Sequence, residues 1–297
     1  MGDDYGLELG DFLRSRRARV NPDEIGIPAD GTPRRVPGLR REKVAQLAGV
    51  SAEYYTRLEQ GRRHHHISAA VLDAVARVLQ LDAVEHAYLV ELARRERTRS
   101  RYRPPRPQRV RPELHKILET LDVSVTPAFI AGRGMQLLAG NRMARALIAE
   151  FDAMPYRERN FARFVFLDES ALDLFPDWNQ VAEDVAAGLR LEAGRRHDDR
   201  GFSELIGDLA VRSEEFRSLW ARHDIRQRTH GTKRFRHPLV GELTVNYQTF
   251  VPSGDIDQVL HIYSTAPGSL SETALRLLAG LTVDSRPQQS STEHDLS

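Results

Sequence analysis

The chain has 297 residues, with 43 Lys and Arg against 42 Asp and Glu for a net charge of +1, and no cysteine. That length suits about two domains, each with its own buried core. The absence of cysteine excludes disulfides, thiolate catalysis and Cys-ligated zinc or iron–sulfur clusters, and no apolar run approaches the roughly 20 residues of a membrane span. The charge is unevenly divided: residues 1–111 carry 22 Lys and Arg against 15 Asp and Glu, the remainder 21 against 27. A basic half joined to an acidic half points to nucleic-acid binding in the first and a different task in the second. The N-terminus, MGDDYGLELG, is acidic where a signal peptide is basic and then apolar, so a cytoplasmic protein is expected.

In chain order, residues 7–19 predict a helix with Leu9, Phe12 and Leu13 on its apolar face and four arginines toward its end. The stretch VNPDEIGIPADGTPRRVP at 20–37 is too rich in Pro, Gly and Asp for a regular element. It reads as a surface loop whose Arg34 and Arg35 form an arm for DNA. Gly38–Arg63 then predicts two short helices about a sharp turn. Over Arg40–Ala48, Val44, Leu47 and Ala48 share one face, and Ala45 allows close approach of a neighbour. Gly49 ends that helix, Ser51 caps the next, Ala52–Gln60, and Gly61 stops it.

Within this second helix Tyr55 and Leu58, with Val50 before it, are expected to pack against Val44 and Leu47. Glu53, Tyr54, Arg57 and Gln60 are then left outward, beside the capping Ser51. Side chains of these types hydrogen-bond base edges and phosphates in a major groove. Arg40, Arg41 and Lys43 before the turn, and Arg62 and Arg63 after it, are placed to hold phosphates, which fixes register without reading sequence. The competing reading is a helical hairpin with a solvated charged face. RREKVAQLAGVSAEYYTRLEQGR closely resembles the helix-turn-helix of the XRE (Cro/C1-like) repressor family, in its actinobacterial form. The resemblance implies recognition of double-stranded DNA, with the 20–37 loop as an insertion.

RRHHHIS follows. Three adjacent histidines with no Cys or acidic partner nearby read as a loop rather than a metal site; they depart from the Pro-rich segment usual in the family. Ser68 caps a fourth helix, Ala69–Leu79, with Val71, Leu72, Val75, Val78 and Leu79 buried. Asp82 caps a fifth through Arg94, with Leu89, Val90 and Leu92 apolar. Residues 94–111 carry nine arginines and three prolines, an extended linker. The expected division is a DNA-binding domain at 1–95, a linker at 96–111, a second domain at 112–282 and a disordered tail at 283–297.

The second domain predicts a helix at 113–121, a strand at Ala128–Ile130, a turn at Gly132 and Gly134, a strand at Met135–Ala139, and a helix started by Asn141. A helical, aromatic middle follows, then strands through Leu239–Phe250 and Leu260–Tyr263 and a closing helix at Ser271–Leu281. Phe161, Phe164, Phe166, Phe175, Trp178, Phe216 and Trp220 exceed what helix packing requires, although any one of them reads equally as core. As a set they suit a cavity wall, together with Phe129, Met143 and Leu147 from the first strand–helix unit and Tyr247, His261 and Tyr263 from the sheet.

WARHDI, GTKRFRHPLVGELTVNY and the Pro176–Trp178 PDW resemble the ligand-binding domain of MmyB-like transcription regulators. Trp178, Trp220, His223, Asp224, Lys233, His237, Pro238, Gly241 and Tyr247 stand at the matching positions. The resemblance implies an α+β fold: an all-α five-helix Cro/C1-like helix-turn-helix domain followed by a PAS-like α+β domain. It further implies a homodimeric regulator associated with the nucleoid, no cofactor, no membrane, and an apolar effector such as a fatty acid. Two other classes stay open. One is a ligand-free dimerisation or interaction module; the other is an enzyme using His223, His237 or His261, against which stands the lack of any nucleophile elbow, phosphate loop or metal pattern.

Overall fold

A computed structural model describes residues 4–22, 38–61, 67–94, 108–194, 199–255 and 257–283. The linker arginines before Gln108, the loop at 23–37 with Arg34 and Arg35, the histidines at 64–66 and the tail from Asp284 lie outside the described residues. Contacts divide the chain into two units: Met1–Pro105 with Glu183–Gln227, and Arg106–Ala182 with Arg228–Ser297. The chain is α+β, with a helical N-terminal region and a five-stranded antiparallel sheet with helices after it.

In the first unit, five helices follow the apolar periodicity of the sequence: α1 (Asp4–Arg19), α2 (Arg41–Ala48), α3 (Ala52–Glu59), α4 (Ala69–Val78) and α5 (Ala83–Arg94). Gly49 ends α2 in the left-handed conformation (φ 69°), where a Cβ is costly. Two residues later Ser51 begins α3 by accepting the Tyr54 N–H at 3.1 Å. Ser68 caps α4 in the same way. At α5 the Asp82 carboxylate accepts the Glu85 N–H at 2.8 Å and Glu85 reaches back to the Asp82 N–H, a reciprocal cap.

One core unites Leu9, Phe12 and Leu13 of α1 with Val44, Tyr55, Leu58, Leu72, Val75 and Leu89. Leu47 does not join it. This residue was expected inward beside Val44, yet it is 46% exposed. On so short a helix the buried strip is Val44, Ala45 and Ala48, and Leu47 falls on its outer edge.

Three further helices complete the inventory of the chain's middle: α10 (Trp178–Ala193), α11 (Arg200–Arg212) and α12 (Glu214–Ala221). From Glu183 onward they belong to the first unit, and Leu191 and Ile225 lie in the same core as α1 and α5. The sequence placed this whole segment in the second domain.

The second unit opens with α6 (Pro112–Val123), β1 (Ala128–Ala131), a tight turn at Arg133–Met135, β2 (Leu137–Gly140) and α7 (Arg142–Leu147). It continues with α8 (Phe161–Leu167), α9 (Ser170–Leu174), β3 (His230–His237), β4 (Gly241–Phe250), β5 (Val259–Ser264) and α13 (Leu270–Val283). The strand order is β2-β1-β5-β4-β3, antiparallel throughout. Leu239, expected to open a strand, is exposed in the turn between β3 and β4, and the strand begins at Gly241.

Alternation sorts the two faces of the sheet. Ala128, Ile130, Leu260 and Ile262 pack with Leu114 and Leu118 of α6. Phe129, His261 and Tyr263, one residue out of step, face the other way and meet as rings. Asn141 ties the sheet to its helices: buried, it accepts the N–H of Ala144 at 2.9 Å and of Ala128 at 3.0 Å, and donates to the Thr126 carbonyl at 2.7 Å. Asn141→Ala should therefore cost more than the roughly 1 kcal/mol of a lost helix cap, because buried backbone groups of β1 and α7 lose their partner together. Chemical denaturation of the full chain, compared with the single cap variant Ser68→Ala, measures the difference.

Candidate DNA interface and ligand-binding region

The α3 helix is seated by a charged residue that the sequence left unremarked. Glu59 is fully buried. Its carboxylate accepts Arg17 Nε of α1 at 2.5 Å and Arg41 Nε of α2 at 2.6 Å, and its carbonyl accepts Arg14 Nη1 at 2.6 Å. Arg17 also donates to the Leu39 carbonyl at 2.7 Å. Burial opposes the charge of Arg17, but the hydrogen bond and charge of Glu59 more than offset it and raise its pKa. Burial, and then the charge of Glu59, raise that of the Tyr55 phenol. Glu59 lies four residues after Tyr55, on the buried face. A carboxylate on an apolar strip, with an arginine at the matching place on α1, was the available signal for this network.

With that face fixed, three of the four predicted DNA-facing residues of α3 fall outward, and Tyr54, expected outward with them, does not. Glu53 and Arg57 are exposed and form an ion pair four residues apart, Gln60 is exposed at the helix end, and Tyr54 is partly buried against the core. Arg40 is exposed at the start of α2. Arg41, expected only as a phosphate contact, is half-exposed and paired with Glu59. Arg62 and Arg63 lie outside the described residues.

The predicted pocket residues of the second unit form a continuous run of rings. Phe129 stacks on His261 at 4.6 Å and lies 6.3 Å from Phe161 and 6.0 Å from Tyr263. Phe161 and Phe164 each meet Phe175 at 6.3 Å, and Tyr247 meets Tyr263 at 6.5 Å. Met143 and Leu147 are fully buried on α7. Phe166 and Trp178 pair at 6.2 Å, with the indole N–H donated to the Val165 carbonyl. Phe235, which the sequence reading passed over because it lies among charged residues, bridges Phe175 and Tyr263 at 5.2 and 5.9 Å. Phe216 and Trp220 stack at 5.4 Å in the first unit.

Lys233 extends its ammonium among these rings, 5.3 Å from the centre of Phe161, 5.6 Å from Phe175 and Tyr247, and 5.9 Å from Tyr263. Burial, and secondarily the charge of Lys233, hold the His261 imidazole down at about 3, so it is neutral at physiological pH. Burial, then Tyr247, push the Tyr263 phenol up. A cavity of about 20 Å³, room for about one water, lies between Phe129, Ile148, Phe151 and Arg145. A groove of about 410 Å³ runs over Val123–Thr126, Ser264, Glu272 and Arg276, and Tyr263 is the one predicted pocket residue on it.

The histidines weighed as catalytic do not converge. His237 makes structural bonds, from Nε2 to the Ala146 carbonyl at 2.9 Å and from the Leu239 N–H to Nδ1; His261 is stacked on Phe129; and His223 belongs to the first unit. Among the described residues no cluster of three His, Asp or Glu could hold a metal ion. No helix among them is long and apolar enough to cross a membrane.

A capped helix pair presenting Arg57 and Glu53, followed by an antiparallel sheet with an aromatic face, defines a DNA-binding regulator of transcription with a small-molecule-binding region. Residues 8–89 match the family model of a helix-turn-helix domain, and residues 110–278 match that of the MmyB-like transcription regulator ligand binding domain. The chain belongs to the MmyB-like transcription regulators. A search of the curated proteins finds no significant match.

Two outcomes follow from this geometry. Glu59→Ala leaves the Arg17 guanidinium buried without its counter-charge and should destabilise the first unit by about 3–5 kcal/mol, read as a fall in its denaturation midpoint. For His261, a folded pKa near 3 against about 6.5 unfolded means that the unfolded state takes the proton first. Its contribution is fully present above pH 6.5 and is lost as pH falls toward 3. The melting temperature of wild type should therefore fall relative to that of His261→Phe between pH 6.5 and 4, which parallel curves for the two proteins would contradict.

Proposed function

We propose that the protein is a homodimeric, sequence-specific regulator of transcription, cytoplasmic and nucleoid-associated, whose second unit takes an apolar small molecule of the fatty-acid kind. The observation that carries the DNA half is the outward face of α3, held in one rotation by buried Glu59. Two copies would present this face to half-sites about 34–36 Å apart, one turn of the duplex. In this reading Arg57 leaves Glu53 to meet a guanine edge, Gln60 and Tyr54 reach neighbouring bases or sugars, and Arg40, Arg41, Arg62 and Arg63 bind phosphates.

The effector reading is supported by the ring-lined face of β1, β5 and β4. A hydrocarbon chain suits a wall of Phe129, Phe161 and Phe175, and Lys233 among the rings offers a cation for an acidic headgroup. The second reading, a ligand-free interaction module, is favoured by Leu270, Leu277 and Leu281, which α13 leaves exposed. Native mass spectrometry followed by denaturing extraction decides between them: a dimer carrying a stoichiometric apolar acid supports the sensor, a ligand-free dimer the module.

For the DNA half, selection of duplexes from a random pool comes first. Arg57→Ala should then cost about 1–3 kcal/mol on the selected duplex and relax preference at one base pair. Equal loss on all sequences would make Arg57 a phosphate contact instead. Arg40→Ala should weaken binding uniformly and flatten the salt dependence by about one contact.

A further inference from the structure

The first unit contains a joint that neither family region delimits. Arg16 of α1 is almost completely buried. Its Nη2 donates to the His223 carbonyl at 2.7 Å, its Nε lies 2.9 Å from Glu85 of α5, and its Nη1 lies 4.0 Å from Asp224. Arg19 pairs with the same Asp224 and donates to the Arg222 carbonyl at 2.9 Å. Burial, only partly countered by Glu85 and Asp224, lowers the pKa of Arg16, so its charge is held at a cost that depends on these partners.

A second fastening lies along α10 and α12. Arg190 donates to the Trp220 carbonyl at 2.6 Å and its guanidinium sits 3.6 Å from the centre of the Trp220 ring. Gly194 lies so close to Tyr88 of α5 that a Cβ would strike the ring. Tyr88 in turn packs edge-on against Phe12 of α1 at 5.2 Å and donates to Glu8 at 2.9 Å. His223, two residues after α12, is held at φ 52°, a conformation that costs an L-residue free energy and persists only where its surroundings impose it.

We propose that Glu183–Gln227 is a regulatory strap of the helix-turn-helix: latched on α1 and α5 through Arg16 and Arg190, it holds α1, and a closed latch raises affinity for DNA. The link to α3 is direct. Arg17, next to Arg16 on α1, is the residue that binds Glu59. The strap begins within the continuous helix α10, whose first residue Trp178 is tied to Val165, and ends at Gln227, three positions before β3, which carries Lys233 and Phe235. A ligand that shifts α10 or β3 therefore pulls on an end of the strap, which is how differential binding to two states becomes a change in DNA affinity. The inference rests on the DNA-binding, ligand-responsive reading above.

The test uses the full chain and a duplex selected by the wild-type protein. Asp224→Asn and Trp220→Ala should each weaken binding about fivefold or more, and Val211→Ala, on an exposed position of α11, should leave it unchanged. By reciprocity, adding the duplex to wild type should slow hydrogen exchange in α11 and α12 more than in α4, an excess that a merely structural contact lacks. Exchange in α2 and α4, which belong to the same unit, reports that the helix-turn-helix of the variants remains folded. Variants whose α11–α12 amides exchange freely while their DNA affinity equals wild type would overturn the proposal. So would both variants with wild-type exchange and affinity, or duplex that slows exchange in α11 and α12 no more than in α4. Failure of the wild type to select any duplex would instead defeat the DNA-binding reading itself.

Discussion

The first unit depends on one carboxylate. Glu59 collects Arg17 from α1 and Arg41 from α2 and sits where no water replaces either. Against an apolar alternative such an ion network adds little net stability, because the desolvation of Glu59 and Arg17 consumes most of the attraction between them. What it supplies is orientation. An apolar strip of Tyr55 and Leu58 tolerates small rotations of α3, whereas a carboxylate bound by two guanidinium groups from different helices does not. For a helix whose opposite face is to meet base edges, rotation about its axis displaces the tip of Arg57 relative to them. The buried charge is thus better explained by the needs of the exposed face than by those of the core.

Much of this was legible in the sequence, for reasons that are local. Gly49, Ser51, Ser68, Asp82 and, in its cap on Ala144, Asn141 act through their own backbone or that of residues three positions away, so spacing alone reveals them. Leu47 was misplaced because an eight-residue helix has a buried strip too narrow for three- and four-residue spacing to fix its edge. Glu59 and Phe235 were missed for the opposite reason. Each owes its burial to partners at least 18 positions away, and residue type pointed outward for the first and charged neighbours pointed outward for the second. The strap was invisible for the same cause: helical periodicity in Glu183–Gln227 shows that a face is buried, and says nothing of which core receives it.

The aromatic face of the second unit follows from the pleat. Residues 128, 130, 260 and 262 meet α6, so 129, 261 and 263 must point away from it, and the sequence places Phe, His and Tyr there. Burial on that face disfavours the charged forms of His261 and Tyr263, which is why the first is held down and the second up. Lys233 lies near the faces of four rings, whose quadrupoles attract a cation. The result is an apolar, ring-lined face with a cation near one point of it.

Placing helices of the ligand-binding region inside the core of the DNA-binding unit changes what regulation requires. If two domains communicated across a detachable interface, an effector would have to alter that interface by several kcal/mol to move an equilibrium between two populated states. Here Leu191 and Ile225 are already part of the core that contains Phe12 and Leu89, and the charge of Arg16 is balanced partly by Asp224. Small displacements of the strap act on a packed interior, which responds in discrete steps rather than by gradual deformation. The left-handed His223 marks the point where such a step is best accommodated, since relaxing its backbone returns some of the energy lost when the Arg16 hydrogen bond opens.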